Sequence, residues 1–205
     1  IGFLGKKSED KKSIPISISI NWKNFPAPSG GNDEKMTSTM TGQIYEDKYG
    51  KSIMEVYHNL QDPLSDIITG NSDFKDAGNY GQTLKFKPAG PAQENPAWKP
   101  SRIVQTAYTG VWDVDTSGSN TQVNIVAISE DNVVQATYTD PNNKQHMLKG
   151  FIGDRTLNED PKSISLVGLN HKNNKTLAIT GLIGKPAKAL NQSPRIEDIH
   201  LYFSS

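Results

Sequence analysis

Apolar and polar residues alternate most regularly near the start of the chain. In the segment 14–22 apolar residues occupy every second position, and mostly small polar residues stand between them. The apolar set is Ile14, Ile16, Ile18, Ile20 and Trp22. Because side chains of a β-strand point alternately to opposite faces, this pattern predicts a strand with one apolar face. Pro15 has no N–H to donate, so we expect it at the beginning of the strand or on a sheet edge.

The second half of the chain contains a series of short apolar segments. Each is of strand length, most are rich in β-branched residues, and turn-forming residues separate them. The segments are 123–128, 133–138, 147–152, 164–169, 176–181 and 196–203. Strands at this spacing are typical of an antiparallel meander that forms a sandwich or a barrel. We therefore predict a mostly β protein, with an antiparallel meander that closes into a small barrel in the C-terminal half.

The N-terminal half has a less regular pattern, and we predict an irregular β-rich region there. Segments 36–45 and 80–88 indicate strands, whereas 52–58 fits the periods of a strand and of a helix equally well. Pro63 could open a short helix that extends to Ile68.

A proline-rich stretch separates the two halves. Residues 88–100 include four prolines, a composition typical of a linker or of a long loop within one domain. The predicted organisation is a tether at 1–12, a β-rich region at 13–88, a linker or long loop at 89–107, and a barrel domain at 108–205.

Charge and composition narrow the classes of partner. Lys plus Arg and Asp plus Glu number 22 each, so net charge gives no reason to expect a nucleic-acid partner. No apolar run approaches the roughly 20 residues of a membrane-spanning helix, so no transmembrane segment is expected. The absence of Cys excludes a disulfide scaffold and a thiol nucleophile. The many turn-forming residues favour a secreted or cell-surface bacterial protein, periplasmic and lipid-anchored proteins included.

Several short motifs of the meander resemble the avidin–streptavidin family and, more broadly, the calycin barrels. The motifs are Thr109-Gly110-Val111-Trp112, Gly118-Ser119-Asn120, Thr137-Tyr138-Thr139, Leu148-Lys149-Gly150 and Thr180-Gly181. The resemblance implies that Trp112 packs at one end of a small barrel and that Gly110 allows a neighbouring segment to approach closely. It also implies a ligand site, for which the candidate residues are Trp112, Ser117, Ser119 and Tyr138.

The chain departs from that family at two places. Asp113 and Asp115 stand where the family has its ligand-binding Asn, and no Trp follows Trp112. Both departures argue against biotin as the ligand, so we expect the fold with another ligand or with none.

No motif indicates catalysis. The chain has no nucleophile elbow, phosphate-binding loop or dinucleotide fingerprint, and its four histidines lack metal-ligand spacing. His146 lies beside a predicted turn, and the stretches 142–144 and 171–175 are typical of turns as well. We expect no enzyme activity, no cofactor and no metal site.

Two classes of function remain. The first is a non-enzymatic binding module that holds a small molecule, a glycan or a protein through the barrel or its loops. The second is a bacterial surface lipoprotein or adhesin-like protein whose β-fold is a platform for protein contacts. A polar pocket would favour the first, whereas an exposed apolar patch would favour the second. The sequence does not predict the oligomeric state.

Overall fold

A computed structural model gives the fold of the chain. It describes residues 1–9, 12–22, 25–26, 32–33, 37–61, 79–90, 101–104, 106–114, 121–153, 162–184 and 195–203. Of residues 25–26, 32–33, 61, 79–80 and 195–203 only the backbone is described. The helix predicted at 63–68 and most of the proline-rich stretch lie outside these ranges.

The described residues form strands and no helix, so the mostly β, antiparallel class is confirmed. In chain order the strands are β1 (Gly2–Leu4), β2 (Ser13–Asn21), β3 (Phe25–Pro26), β4 (Asn32–Asp33), β5 (Thr37–Glu46), β6 (Ser52–Gln61), β7 (Asn79–Phe86), β8 (Ile103–Val104), β9 (Gly110–Val114), β10 (Thr121–Ser129), β11 (Val133–Thr139), β12 (Gln145–Ile152), β13 (Lys162–Asn170), β14 (Lys175–Ile183) and β15 (Arg195–Phe203). Each strand predicted from the apolar pattern is present, and the ambiguous segment 52–58 belongs to strand β6. Within the described ranges, no helix has the length and apolar character that crossing a membrane requires.

The N-terminal strands form a five-stranded antiparallel sheet in the order β1-β2-β5-β6-β7. Strand β1 lies within the segment predicted as a tether and pairs with β2 through Gly2–Ile18 and Leu4–Ile16. Pro15 is the third residue of β2, close to the strand's beginning as predicted. Strands β3 and β4 pair only with each other.

The C-terminal strands form an eight-stranded sheet in the order β11-β12-β13-β14-β15-β9-β10-β8. Strand β10 additionally pairs with β11, and β15 pairs with β9 in parallel through Arg195–Asp113 and Ile196–Val114. Strand β8, within the predicted linker, pairs with the end of β10.

The main hydrophobic core belongs to the eight-stranded sheet. In β10 the residues facing it, Val123, Ile125 and Ile128, are buried, whereas Gln122 and Asn124 are exposed. This alternation is what a half-buried strand requires. Strands β13 and β14 differ, because almost every residue of both is buried. Their second face is covered by strands β2 and β5 of the other sheet.

Hydroxyl groups make the contact between the two sheets. The Ser17 hydroxyl donates to the Gly168 carbonyl at 3.3 Å, and the Ser19 hydroxyl donates to the Ser165 carbonyl at 2.8 Å. The hydroxyls of Thr39 and Thr180 lie 2.6 Å apart. The polar face of β2, rather than its isoleucine face, therefore packs against the second sheet.

Thr37 is the most connected residue of this contact. Its backbone N–H donates to the Ser163 hydroxyl at 3.1 Å, and the two hydroxyls lie 2.6 Å apart. The Ser165 hydroxyl donates to the Thr37 hydroxyl at 2.8 Å. All three side chains are fully buried, so each hydroxyl needs the partner that it finds in the opposite sheet. We call the set Ser17, Ser19, Thr37, Thr39, Ser163, Ser165 and Thr180 the hydroxyl seam.

We predict that Thr37→Val weakens the fold although it keeps the shape of the side chain. The substitution leaves the buried Ser163 and Ser165 hydroxyls short of a partner, which should lower the free energy of unfolding by about 1–3 kcal/mol. Urea unfolding measures the effect. Thr83→Val, the same change at an exposed position of β7, is the control and should stay within about 0.5 kcal/mol. Equal effects of both substitutions would contradict a stabilising role of the seam.

Candidate ligand-binding cleft

The predicted site residues fall into two groups in the structure. Trp112 on β9 and Tyr138 on β11 both register with Val123 of the intervening strand β10, and each is 2 % exposed. They belong to one hydrophobic core. Ser117 and Ser119 lie outside the described residues.

Trp112 is a packed core residue. Its indole N–H donates to the Tyr108 carbonyl at 2.8 Å, so the ring is buried without an unpaired donor. The neighbouring Gly110 was expected to admit a close segment, and that reason is wrong. A Cβ there would meet no atom within 4 Å, but the residue has φ of +127°, which favours glycine.

Tyr138 lines a cleft of about 250 Å³ at one end of the eight-stranded sheet. Two hairpins form it, because the β11–β12 turn and the β13–β14 turn lie at the same end of the sheet. Its polar lining consists of Tyr138, Asp140, Asn142, His146, Asn170, Asn173, Lys175 and Thr176. Pro141 and Leu177 add apolar surface to the lining.

Asp140 holds the first hairpin. One oxygen of its carboxylate accepts the N–H groups of Asn142 and Lys144, each at 2.9 Å, and the other lies 3.2 Å from His146 Nε2. Asn143 has φ of +58°, the left-handed conformation that this turn needs and that Asn tolerates. Both oxygens of the carboxylate are therefore engaged.

The five-stranded sheet contains a turn of the same design. The Asp47 carboxylate accepts the N–H groups of Tyr49 and Lys51 at 2.8 and 2.9 Å, and Gly50 has φ of +74°. The turns at 47–51 and 140–144 share this hydrogen-bond pattern position by position. The turn at 47–51 thus supplies controls for substitutions in the turn at 140–144.

Asparagine side chains hold the second hairpin. Asn170 and Asn173 each accept a backbone N–H two residues ahead, from Lys172 at 3.0 Å and from Lys175 at 3.2 Å. Asn174, at φ of +55°, exchanges two hydrogen bonds of 2.7 Å with the backbone of Lys6. The segment that follows β1 is thereby attached to the rim of the cleft.

The electrostatics of the cleft follow from these contacts. The Lys144 N–H above all, with the His146 ring and the Asn142 N–H, holds the pKa of Asp140 below its usual value. Burial, and then the Asp140 carboxylate, raises the pKa of the Tyr138 phenol above its usual value. At neutral pH the cleft therefore contains a carboxylate fixed by its own turn and an uncharged phenol.

The arrangement has groups that can hold a polar ligand. It offers amide, phenol and ammonium groups for hydrogen bonds, and an aromatic pair in which the Tyr138 and His146 rings lie 6.1 Å apart. Across the described ranges, no group of three or more His, Asp or Glu residues could hold a metal ion.

The sequence predicted one residue of the cleft as a ligand-binding residue and did not predict the others. Tyr138 was a candidate site residue, whereas the stretches 142–144 and 171–175 were interpreted only as turns. They are turns, but Asn142, Asn173 and Lys175 also line the cleft. His146, which the sequence placed beside a turn, lines the cleft as well and has a side chain that is only 16 % exposed. The available signal was Asp140 four residues before Lys144, which marks the first hairpin turn but not the second.

We predict that Trp112→Ala lowers the free energy of unfolding by about 3–5 kcal/mol, because it removes a large buried aromatic ring. Asp113→Ala on the same strand should change it by less than about 0.5 kcal/mol, because Asp113 makes only an exposed hydrogen bond with Gln122. Denaturant unfolding of both variants tests the difference. An unchanged midpoint for Trp112→Ala would mean that the ring contributes little to the core.

The second prediction for this region concerns pH. The lowered pKa of Asp140 means that its charge stabilises the folded state above the ordinary aspartate pKa of about 3.9. That stabilisation is lost as pH falls through the lower, folded-state pKa. We expect the unaltered chain to have a larger free energy of unfolding than the Asp140→Asn variant at neutral pH. The difference between the two should shrink in acid. A difference in unfolding free energy that is independent of pH would contradict the role of the charge.

Comparison with known proteins gave no match for this chain. No family model, no curated protein and no solved structure is similar to it at a significant level. The resemblance to the avidin–streptavidin family therefore stays a prediction, and function has to be argued from the cleft itself.

Proposed function

We propose that the chain is a non-enzymatic binding module of a secreted or cell-surface protein, and that its ligand, a glycan or small polar molecule, occupies the cleft beside Tyr138. The observation that carries the proposal is the cleft, whose polar side chains are held by hydrogen bonds of their own turns. Asp140, Asn170 and Asn173 each accept a backbone N–H two residues ahead. Groups fixed before binding lose little conformational entropy when the ligand arrives.

The lining fits a sugar-like ligand in particular. Asn142 and Asn173 carry amides that can both donate and accept, which suits hydroxyl groups. Pro141 and Leu177 offer apolar contacts to the carbon atoms of a sugar ring. Small-molecule sites generally combine such an apolar lining with a few well-placed polar groups.

We further propose that the eight-stranded sheet is a small barrel. The support is its pairing: from β10 the pairs run through β11, β12, β13, β14, β15 and β9 and return to β10. A sheet without free edges at these strands would enclose the core around Trp112 and leave the hairpins at one end. The resemblance to the avidin–streptavidin group points to the same architecture.

A platform for protein contact is the second candidate function. The isoleucine face of the five-stranded sheet favours it, because this face has exposed apolar residues at both sheet edges. Leu4, which pairs with Ile16, is 62 % exposed, and Phe86, which pairs with Met54, is 38 % exposed. Exposed apolar surface of this kind often marks a protein-binding site.

The test combines a binding screen with a variant that fills the cleft. The chain is screened against an array of glycans and small polar molecules, and hits are measured by calorimetry. Asn142→Tyr should abolish binding and keep the fold, because Tyr49 already occupies the corresponding position of the matched turn. Tyr49→Asn is the reciprocal control and should bind as the unaltered chain does. A ligand that binds Asn142→Tyr with unchanged affinity would place the site outside the cleft. The variants Leu4→Ser and Phe86→Ser would then test the isoleucine face.

A further inference from the structure

We infer that the ligand of the cleft is an acidic glycan, one that carries carboxylate or sulfate groups. This inference rests on the proposed function and names its ligand class. It starts from the distribution of charge, since the whole chain has equal numbers of basic and acidic residues.

Positive charge is concentrated at the cleft. The segments 5–9, 140–146 and 170–176 form its rim, because the first is bonded to Asn174 and the other two contain the hairpin turns. They contain five lysines against two acids, an excess of three positive charges. The lysines are Lys6, Lys7, Lys144, Lys172 and Lys175, and all five are exposed.

The two acids of the rim, Glu9 and Asp140, are already subtracted in this excess. Asp140 already uses both carboxylate oxygens, for two backbone N–H groups and for His146. The ion pairs of Lys and Arg found within the described part of the chain are Lys85–Glu55 and Arg102–Glu130, and neither includes a lysine of the rim. The rim ammonium groups can therefore contact a ligand.

Turn chemistry does not account for the lysines. Lys144, Lys172 and Lys175 take part in the turns through their backbone N–H groups, which any residue except Pro would supply. Around the matched turn the basic residues Lys48, Lys51 and Lys87 stand against Glu46 and Asp47, an excess of one positive charge rather than three. The turn design is thus the same in the two sheets, and the charge excess is larger at the cleft.

An acidic sugar satisfies both parts of the site. Its carboxylate or sulfate would meet Lys175, which lines the cleft, while its hydroxyls would meet Asn173 and the Tyr138 phenol. Charges on the rim attract such a ligand over a distance of about 8–10 Å at physiological salt, so binding should weaken as salt is added.

The experiment compares pairs of probes in which one member carries acidic groups that the other lacks. Sialyllactose is measured against lactose, and a heparin oligosaccharide against its desulfated, N-acetylated form, by calorimetry at low and at physiological salt. We expect an acidic member of at least one pair to bind about tenfold more tightly than its less charged partner, with affinity falling as salt rises. The two pairs distinguish a carboxylate source from a sulfate source.

Variants of the rim lysines test whether these residues cause the preference for acidic probes. Lys175→Gln should lower the affinity for the acidic probe by about fivefold. Its combination with Lys144→Gln and Lys172→Gln should lower that affinity by more than about tenfold. Lys51→Gln, from the matched turn, should leave binding unchanged. Circular dichroism and unfolding midpoints confirm that the variants fold.

The alternative outcomes separate the two proposals. Equal binding of acidic and less charged probes, abolished by Asn142→Tyr, would overturn the charge inference and support the cleft as the site. No binding of any glycan would overturn the inference, and no binding of any glycan or small polar molecule would overturn both proposals. Tighter binding of a DNA or RNA oligonucleotide than of every acidic glycan would also overturn the inference, because the rim would then be a nucleic-acid surface.

Discussion

The contact between the two sheets depends on buried hydroxyl groups and the hydrogen bonds that they make across it. Burying a hydroxyl is unfavourable unless it finds a partner, so the seam is stable only when the hydroxyls of β2 meet carbonyls of β13 and those of β5 meet hydroxyls of β13 and β14. Hydrogen bonds of 2.6–3.3 Å have directional requirements that apolar contacts lack. The seam therefore sets the register of one sheet on the other as well as joining them. Thr37 contacts both Ser163 and Ser165 and so makes more of these bonds than any other residue of the seam.

The seam also explains why β13 and β14 are buried on both faces. One face contributes Leu166 and Ile179 to the hydrophobic core, and the other carries Ser165 and Thr180 to the seam. The hairpin that joins these strands forms half of the cleft. It is held from two sides, by the sheet contact along its strands and by the bonds of Asn174 to Lys6 at its tip. A binding site on such a hairpin is placed on a rigid support, which favours a preformed site.

The two matched turns show how one local design can acquire different surroundings. In both, an Asp carboxylate accepts two backbone N–H groups and a residue at positive φ completes the turn. In the turn at 140–144 the Asp140 carboxylate also contacts His146, and a neighbouring hairpin lies opposite. The cleft therefore arises from the meeting of two hairpins, and neither hairpin contains it alone.

The sequence by itself determined the strands, the turns and the burial of Trp112, because strand alternation and turn chemistry are local properties of the chain. It did not determine what each strand face packs against. The polar face of β2 carries residues such as Ser17 and Ser19, whose hydroxyls bond equally well to water or to other hydroxyls. Only the tertiary structure decided that they meet the second sheet, and only it brought Tyr138 and Lys175, 37 positions apart in the chain, into one cleft. Proximity between distant segments depends on how whole sheets pack, which local patterns do not encode.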